Sequence, residues 1–324
     1  MNVLLKFFCP GLLFVLLMSA CSCGNNKENY EVVEPDEYNL RISEMRIRDP
    51  FILADKQSGA YYMYANNRPN FKVYKSLDLV KWKDLGNCFT AGEDFWGTND
   101  FWAPDVYAYK GKYYLFATFS SPTDKRGTSI LVADKPEGPF SPLVNNALTP
   151  PEQMCLDGAL YIDNDQKPWM IYCHEWLEAK DGEIIARQLS DDLRQTVGDP
   201  HILFTATEAP WVGSIRSGDT EGYVTDAPFI HKLEDGRLIM TWSSFRKDNG
   251  RYAIGMATSG SGNLFGPWKQ EDSPLNNDDG GHAMLFRDFK DRLMISYHSP
   301  NSQTETPRIK EVYISNGKLV VPSL

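Results

Sequence analysis

Apolar residues along this chain fall in short runs, rich in Val, Ile, Tyr, Phe and Trp and broken by Gly, Asp, Asn and Pro. After residue 40 no stretch has the spacing of a long amphipathic helix, so the pattern is all-β. The runs come in pairs. The first of each pair opens on a polar residue, and the second is dense in aromatic and β-branched side chains. The pairs are 48–53 with 61–66, 103–109 with 112–119, 156–162 with 168–176, 225–232 with 237–245, and 280–286 with 292–299. Further strand-like runs follow each pair. Two of these contain a tight turn, at Gly138-Pro139-Phe140 and Gly266-Pro267-Trp268. A fivefold repeat of roughly 50 residues matches the length of a four-stranded propeller blade, and the expectation is a five-bladed β-propeller. The one long step in the repeat, over 206–224, predicts a loop above the central channel.

The polar heads of the five pairs are Asp49, Asp105, Asp157, Asp226 and His282. If each sits on the innermost strand of its blade, four carboxylates and an imidazole converge on one axis. Such a cluster is costly unless it is solvated, paired or used.

The chain has 324 residues and a formal net charge of −10, which argues against a nucleic-acid partner. Its start reads as an export leader. Lys6 precedes an apolar run over 7–18, too short to span a bilayer comfortably, and Ser19-Ala20-Cys21 follows. The stretch 17–21 resembles a bacterial lipoprotein signal. That implies cleavage before Cys21, a lipid on its thiol, and a place in the cell envelope, in the periplasm or on the outer-membrane surface. An ordinary secretory signal is the alternative. The expected organisation is a leader over 1–20, a polar tether over 21–38, and a single propeller domain over 39–324, acting as a monomer. Of six cysteines, only Cys88, Cys155 and Cys173 fall within the fold, with no metal-binding spacing, and they read as small core residues.

Hydrolysis of a glycosidic bond needs one protonated carboxyl to help the leaving oxygen depart and one ionised carboxyl to activate water or attack. A propeller hub with several carboxylates can supply both, because like charges raise one another's pKa. Five segments, in order and at blade spacing, resemble glycoside hydrolase family 43. They are 48–52, 101–106, 156–158, 224–229 and 281–284. The resemblance implies an inverting enzyme acting on α-L-arabinofuranosyl or β-xylosyl residues of plant-type polysaccharides, with no required cofactor. It assigns Asp49 as general base and Asp157 as the carboxylate that tunes the acid. It places Trp102 and Asp105 in the substrate-contact motif. It matches His282 to a histidine near the axis that holds calcium in some members.

The acid position departs from the family. Asp226-Ala227-Pro228 stands where Glu-Gly-Pro is usual, and Asp is one methylene shorter. Asp226 keeps the register, 13 residues before Ile239, as Asp49 precedes Tyr62 and Asp157 precedes Met170. Glu221 and Glu208 remain alternatives. So do a non-catalytic carbohydrate-binding propeller and an endo-acting arabinanase or xylanase of the same family. A protein-interaction propeller offers no reason for inward carboxylates.

Overall fold

The computed structural model describes residues 37–322. The leader, Cys21 and most of the tether lie outside the described residues. Five antiparallel sheets stand in a ring, a five-bladed β-propeller. Blade one runs Phe51–Asp55, Ala60–Asn67, Asn70–Ser76 and Lys81–Thr90, with Leu40–Arg41 added at its outer edge. Blade two runs Asn99–Tyr109, Lys112–Ser120, Gly127–Ala133 and Ser141–Pro142. Blade three runs Cys155–Ile162, Pro168–His174, Glu183–Leu189 and Thr196–Thr205. Blade four runs Asp226–Lys232, Leu238–Phe245, Tyr252–Ser259 and Trp268–Gln270. Blade five has only three strands, Gly281–Arg287, Leu293–Ser299 and Thr306–Glu311. The chain then makes a separate hairpin, Tyr313–Ser315 with Lys318–Val320, so the expected outer hairpin does not join the fifth sheet.

The second strand of every blade is buried almost end to end. It carries neighbouring blades on both faces. That is why these runs are continuously apolar rather than alternating. The ring closes through side chains. Tyr61 of blade one packs on Phe286 and Phe289 of the last blade, at centroid distances of 6.4 and 4.4 Å. Ser296 Oγ donates to Pro50 O at 2.8 Å, and Arg48 Nη2 to Asn301 Oδ1 at 2.7 Å. Cys88, Cys155 and Cys173 are buried free thiols.

One local device recurs where the inner strands begin. In blades two to five the pairing skips a residue, between Trp102 and Asp105, Leu156 and Ala159, Asp226 and Phe229, and Gly281 and Met284. Inside each bulge one residue has positive φ: Ala103 at 48°, Asp157 at 54°, Ala227 at 51° and His282 at 56°. Asp49 of blade one, at 53°, completes the set. A left-handed residue other than glycine costs roughly 1–2 kcal/mol, less for Asp and His. Bulges re-aim side chains. Here the device turns the top of each inner strand toward the axis.

The bulges correct the expected set of heads. Asp49, Asp157 and His282 occupy the equivalent left-handed position, but blades two and four place Ala103 and Ala227 there. Asp226 comes one residue earlier and Asp105 two residues later. The predicted loop over 206–224 contains a short helical turn, Ala206–Glu208, and the hairpin Ile215–Ser217 with Thr220–Gly222.

Candidate active site

A cavity of about 280 Å³ is lined by the left-handed residues Asp49, Asp157 and His282 and by the residue preceding the left-handed position in four blades. Those four are Arg48, Trp102, Leu156 and Asp226. Glu175, Trp176, Ile215, Phe245 and Tyr252 build its walls. Asp49, Asp157 and Asp226 therefore meet in one cavity, as expected of a shared axis.

His282 links the carboxylates. Its Nδ1 is 3.1 Å from Asp49 Oδ1 and 3.7 Å from Asp157 Oδ2. His298 Nδ1 lies 3.2 Å from the same Asp49 oxygen. Asp157 Oδ2 also accepts the N–H of Ala227 at 3.0 Å, next to Asp226. Asp226 Oδ2 accepts the hydroxyl of Tyr252 at 2.8 Å.

The electrostatics follow from burial and from a single buried cation. Burial favours a neutral imidazole, yet Asp49, Asp157 and Asp105 together push His282 up to about 10. Burial also opposes ionisation of Asp49, but charge and hydrogen bonds from His282 and His298 hold it well below the usual carboxylate range. Asp157 and Asp226 go the other way. Burial raises both, and neighbouring carboxylates raise them further. One carboxyl held low and two pushed up in one cavity is an arrangement suited to acid–base chemistry.

Asp105 sits a layer lower. It takes the place held by Phe51, Ala159, Phe229 and Met284 in the other blades. It lines a small separate cavity of about 10 Å³ beneath His282 rather than the main one. Burial pushes it up to about 8, and Tyr107 OH donates to its Oδ2 at 3.2 Å. Trp102 does line the main cavity. The Arg126 guanidinium covers it, 4.2 Å from the ring centroid.

The two alternative acids lie elsewhere. Glu221 is exposed and bound by Arg216 and Ser214. Glu208 caps the backbone N–H of Thr205. Neither lines the cavity. Glu175 carries no signature at a strand head. It is buried, ion-paired to Arg126, and raised by burial. Arg126 also holds Asp100 at 3.1 Å. Tyr252 and His298 likewise carry no blade-head signature.

The structure does not show the calcium site that the resemblance allowed beside His282. Among the described residues no group of three or more His, Cys, Asp or Glu side chains is arranged for a metal. Calcium takes six to eight oxygens.

Known proteins resemble the chain in sequence and in shape. A solved structure described as the endo-arabinase of Bacteroides thetaiotaomicron VPI-5482 superposes with a TM-score of 0.86 and 62% identity, covering 87% of this chain and 99% of that one. A xylosidase/arabinosidase of Bacteroides ovatus is 22% identical over 271 residues, 76% of this chain and 78% of its own length. An extracellular exo-α-(1→5)-L-arabinofuranosidase of Cellvibrio japonicus is 21% identical over 262 residues, 75% of this chain and 72% of its own length. The model of glycosyl hydrolases family 43 matches residues 39–319. With the propeller, the carboxylate cavity and that match together, the chain is a glycoside hydrolase and belongs to family 43.

Proposed function

We propose that this hydrolase cleaves α-L-arabinofuranosyl linkages of arabinan-type glycans with inversion at the anomeric carbon. Asp49 takes the proton of the attacking water, Asp226 protonates the departing oxygen, and Asp157 keeps Asp226 protonated until the bond breaks. The observation that carries this reading is the split of ionisation in one cavity. Asp49 is held as a carboxylate by His282, while Asp226 and Asp157 are pushed toward the acid form. A general base and a general acid need that split. The arabinofuranosyl preference rests on the 62% identity to a protein described as an endo-arabinase. Trp102, with one face against Arg126, offers an aromatic surface to a sugar ring.

Site of attack is a separate matter. A cavity of about 280 Å³ favours release of terminal or side-chain residues. The described activity of the 62%-identical neighbour favours internal cleavage. The test is incubation with linear arabinan, branched arabinan, arabinoxylan and nitrophenyl α-L-arabinofuranoside and β-xyloside. We expect arabinose or arabino-oligosaccharides from the arabinans, with the first-formed anomer inverted by proton NMR. Binding without product on any of them would make the chain a carbohydrate-binding propeller. Exclusive release of xylose would overturn the arabinofuranosyl preference.

The same reading places the enzyme outside the cytoplasm, anchored by a lipid on Cys21, as a monomer. Support comes from the 17–21 segment and from the extracellular relative. Loss of metabolic lipid labelling in Cys21→Ala tests the anchor.

A further inference from the structure

Four blades send a side chain into the cavity from the residue that precedes the left-handed position, and the fifth has Gly281 there. The space is filled from another blade. A Cβ at Gly281 would lie 2.1 Å from Tyr252 Cε1 and 2.3 Å from its Cδ1. Tyr252 opens the third strand of blade four, and Asp279 Oδ1 anchors its backbone N–H at 2.9 Å. Its hydroxyl reaches Asp226 at 2.8 Å. Its ring stacks on His298, at a centroid distance of 5.8 Å and an interplanar angle of 17°. His298 is wholly buried, and its Nδ1 is 3.2 Å from Asp49 Oδ1 and 3.4 Å from Asp49 N. One stacked pair thus touches both carboxyls assigned to proton transfer.

We infer that Tyr252 and His298 are positioning residues that fix the spacing and orientation of Asp226 and Asp49, and that Gly281 supplies the space for Tyr252. The inference rests on the acid and base assignments above. With Oδ2 of Asp226 tied to the phenol, Oδ1 is the oxygen that carries the proton. In the reaction that proton passes to the glycosidic oxygen, which leaves with the electron pair of its bond to the anomeric carbon. Water bonds to that carbon from the opposite side and gives a proton to Asp49. The negative charge appearing on Asp226 is met by a hydrogen bond already in place, the form of stabilisation that needs no rearrangement. Burial and the surrounding carboxylates keep the phenol protonated, so it remains a donor.

The groups around Asp226 are Tyr252 of its own blade, His282 of blade five, Asp49 and Arg48 of blade one, and Asp157 and Glu175 of blade three. Asp49 is faced by His282, His298, Arg48, Asp157 and Asp226. Within these sets, the Tyr252 hydrogen bond lowers the pKa of Asp226 and the His298 hydrogen bond lowers that of Asp49. Removing each therefore moves a different limb of the pH–rate profile.

The test compares Y252F and H298F with the wild type. Y252F keeps the stack and loses the hydroxyl. It should lower kcat on arabinan roughly 10–100-fold with KM little changed. Its alkaline limb should move to higher pH. On a dinitrophenyl arabinofuranoside, whose leaving group needs little protonation, the loss should be under about threefold. H298F should move the acidic limb upward instead, because Asp49 loses a partner that favours its charge. A Y252F enzyme with wild-type kcat and an unmoved alkaline limb overturns the inference for Tyr252, and an unmoved acidic limb in H298F overturns it for His298. D226N with full turnover on arabinan would overturn the acid assignment instead. G281A is a control on the space. It should lose activity, and adding Y252A should restore the melting temperature but not kcat.

Discussion

Replacing Asp49 with Asn is the most direct perturbation of the proposed water activation. Asn is the right substitute because position 49 has φ 53°, a conformation Asn tolerates and Ala adopts only at a cost of about 1 kcal/mol. The change removes one charge and little else. His282 loses its nearer carboxylate at 3.1 Å but keeps Asp157 at 3.7 Å, so the imidazolium is not stranded and the fold should persist. A general base contributes about 10²–10⁴-fold. D49N should therefore lower kcat/KM by that factor, or about 2.7–5.4 kcal/mol of transition-state stabilisation. Steady-state kinetics on nitrophenyl arabinofuranoside, with a melting curve beside them, read the effect. Azide adds a second readout. It attacks without giving up a proton and so needs no base. It should restore turnover of D49N on an activated substrate and give a glycosyl azide of inverted configuration. A folded D49N enzyme within tenfold of the wild type would falsify the assignment of the base.

Three further outcomes follow from the same geometry. D226E should lower kcat at least tenfold, because the added methylene carries the carboxyl past a Tyr252 hydroxyl already placed at 2.8 Å; a gain in activity would show a cavity built for Glu. Thermal stability should peak in mildly acidic solution and fall toward pH 9. The stability from the raised His282 is complete below its unfolded value near 6.5 and is lost as pH rises through about 10. Asp105, raised to about 8, adds loss in the same direction, beginning at its unfolded value near 3.8 and complete by about 8. Asp49, held low, adds a loss only as pH falls through its depressed folded value. Calorimetry from pH 4 to 9 checks this, and a midpoint that rises over that range refutes it. Finally, exhaustive dialysis against EDTA should leave turnover unchanged, because no group of three or more His, Cys, Asp or Glu side chains among the described residues is arranged for a metal; activity lost to EDTA and regained with calcium would refute that.

Much of the fold was legible because each blade repeats one pattern. A polar residue opens the inner strand, and a continuously apolar strand follows in the buried middle of the sheet. Asp49, Asp157 and His282 were legible for a further reason. They occupy a left-handed position, which Asp and His tolerate. The register of the other two heads was not legible. Asp226 stands 13 residues before Ile239, the same count as Asp49 to Tyr62 and Asp157 to Met170. Yet Ile239 pairs with His231, Tyr62 with Leu53 and Met170 with Leu160. Turn length and the bulge offset each other in that count. Asp105 likewise fell a layer too low, at a place where other blades carry Phe, Ala or Met. Glu175, Arg126, Tyr252 and His298 enter the cavity region from second and third strands and their ends. Nothing in a blade-by-blade reading of strand heads marks them.

The hub also shows why residue type does not decide which carboxyl takes which part. All four hub acids are Asp, so intrinsic acidity separates none of them. What differs is distance to one cation. Asp49 lies closest to His282 Nδ1, at 3.1 Å, and is touched by a second imidazole, so its charge is the one best compensated. Asp157, at 3.7 Å, shares what remains. Asp226 relies on a neutral phenol and on longer-range charge. A single imidazolium cannot neutralise four carboxylates, and the unmet negative charge makes protons the least costly counterions. They settle on the carboxyls whose charge is less well compensated, Asp157 raised to about 7 and Asp105 to about 8, with Asp226 raised as well. Proximity to His282 thus sorts identical side chains into a base and proton-holding acids. His282→Gln should blur that sorting, raising the acidic limb of the pH–rate profile as Asp49 loses its partner. If the acidic limb of H282Q coincided with the wild type's, the ionisation of Asp49 would have to come from elsewhere in the cavity.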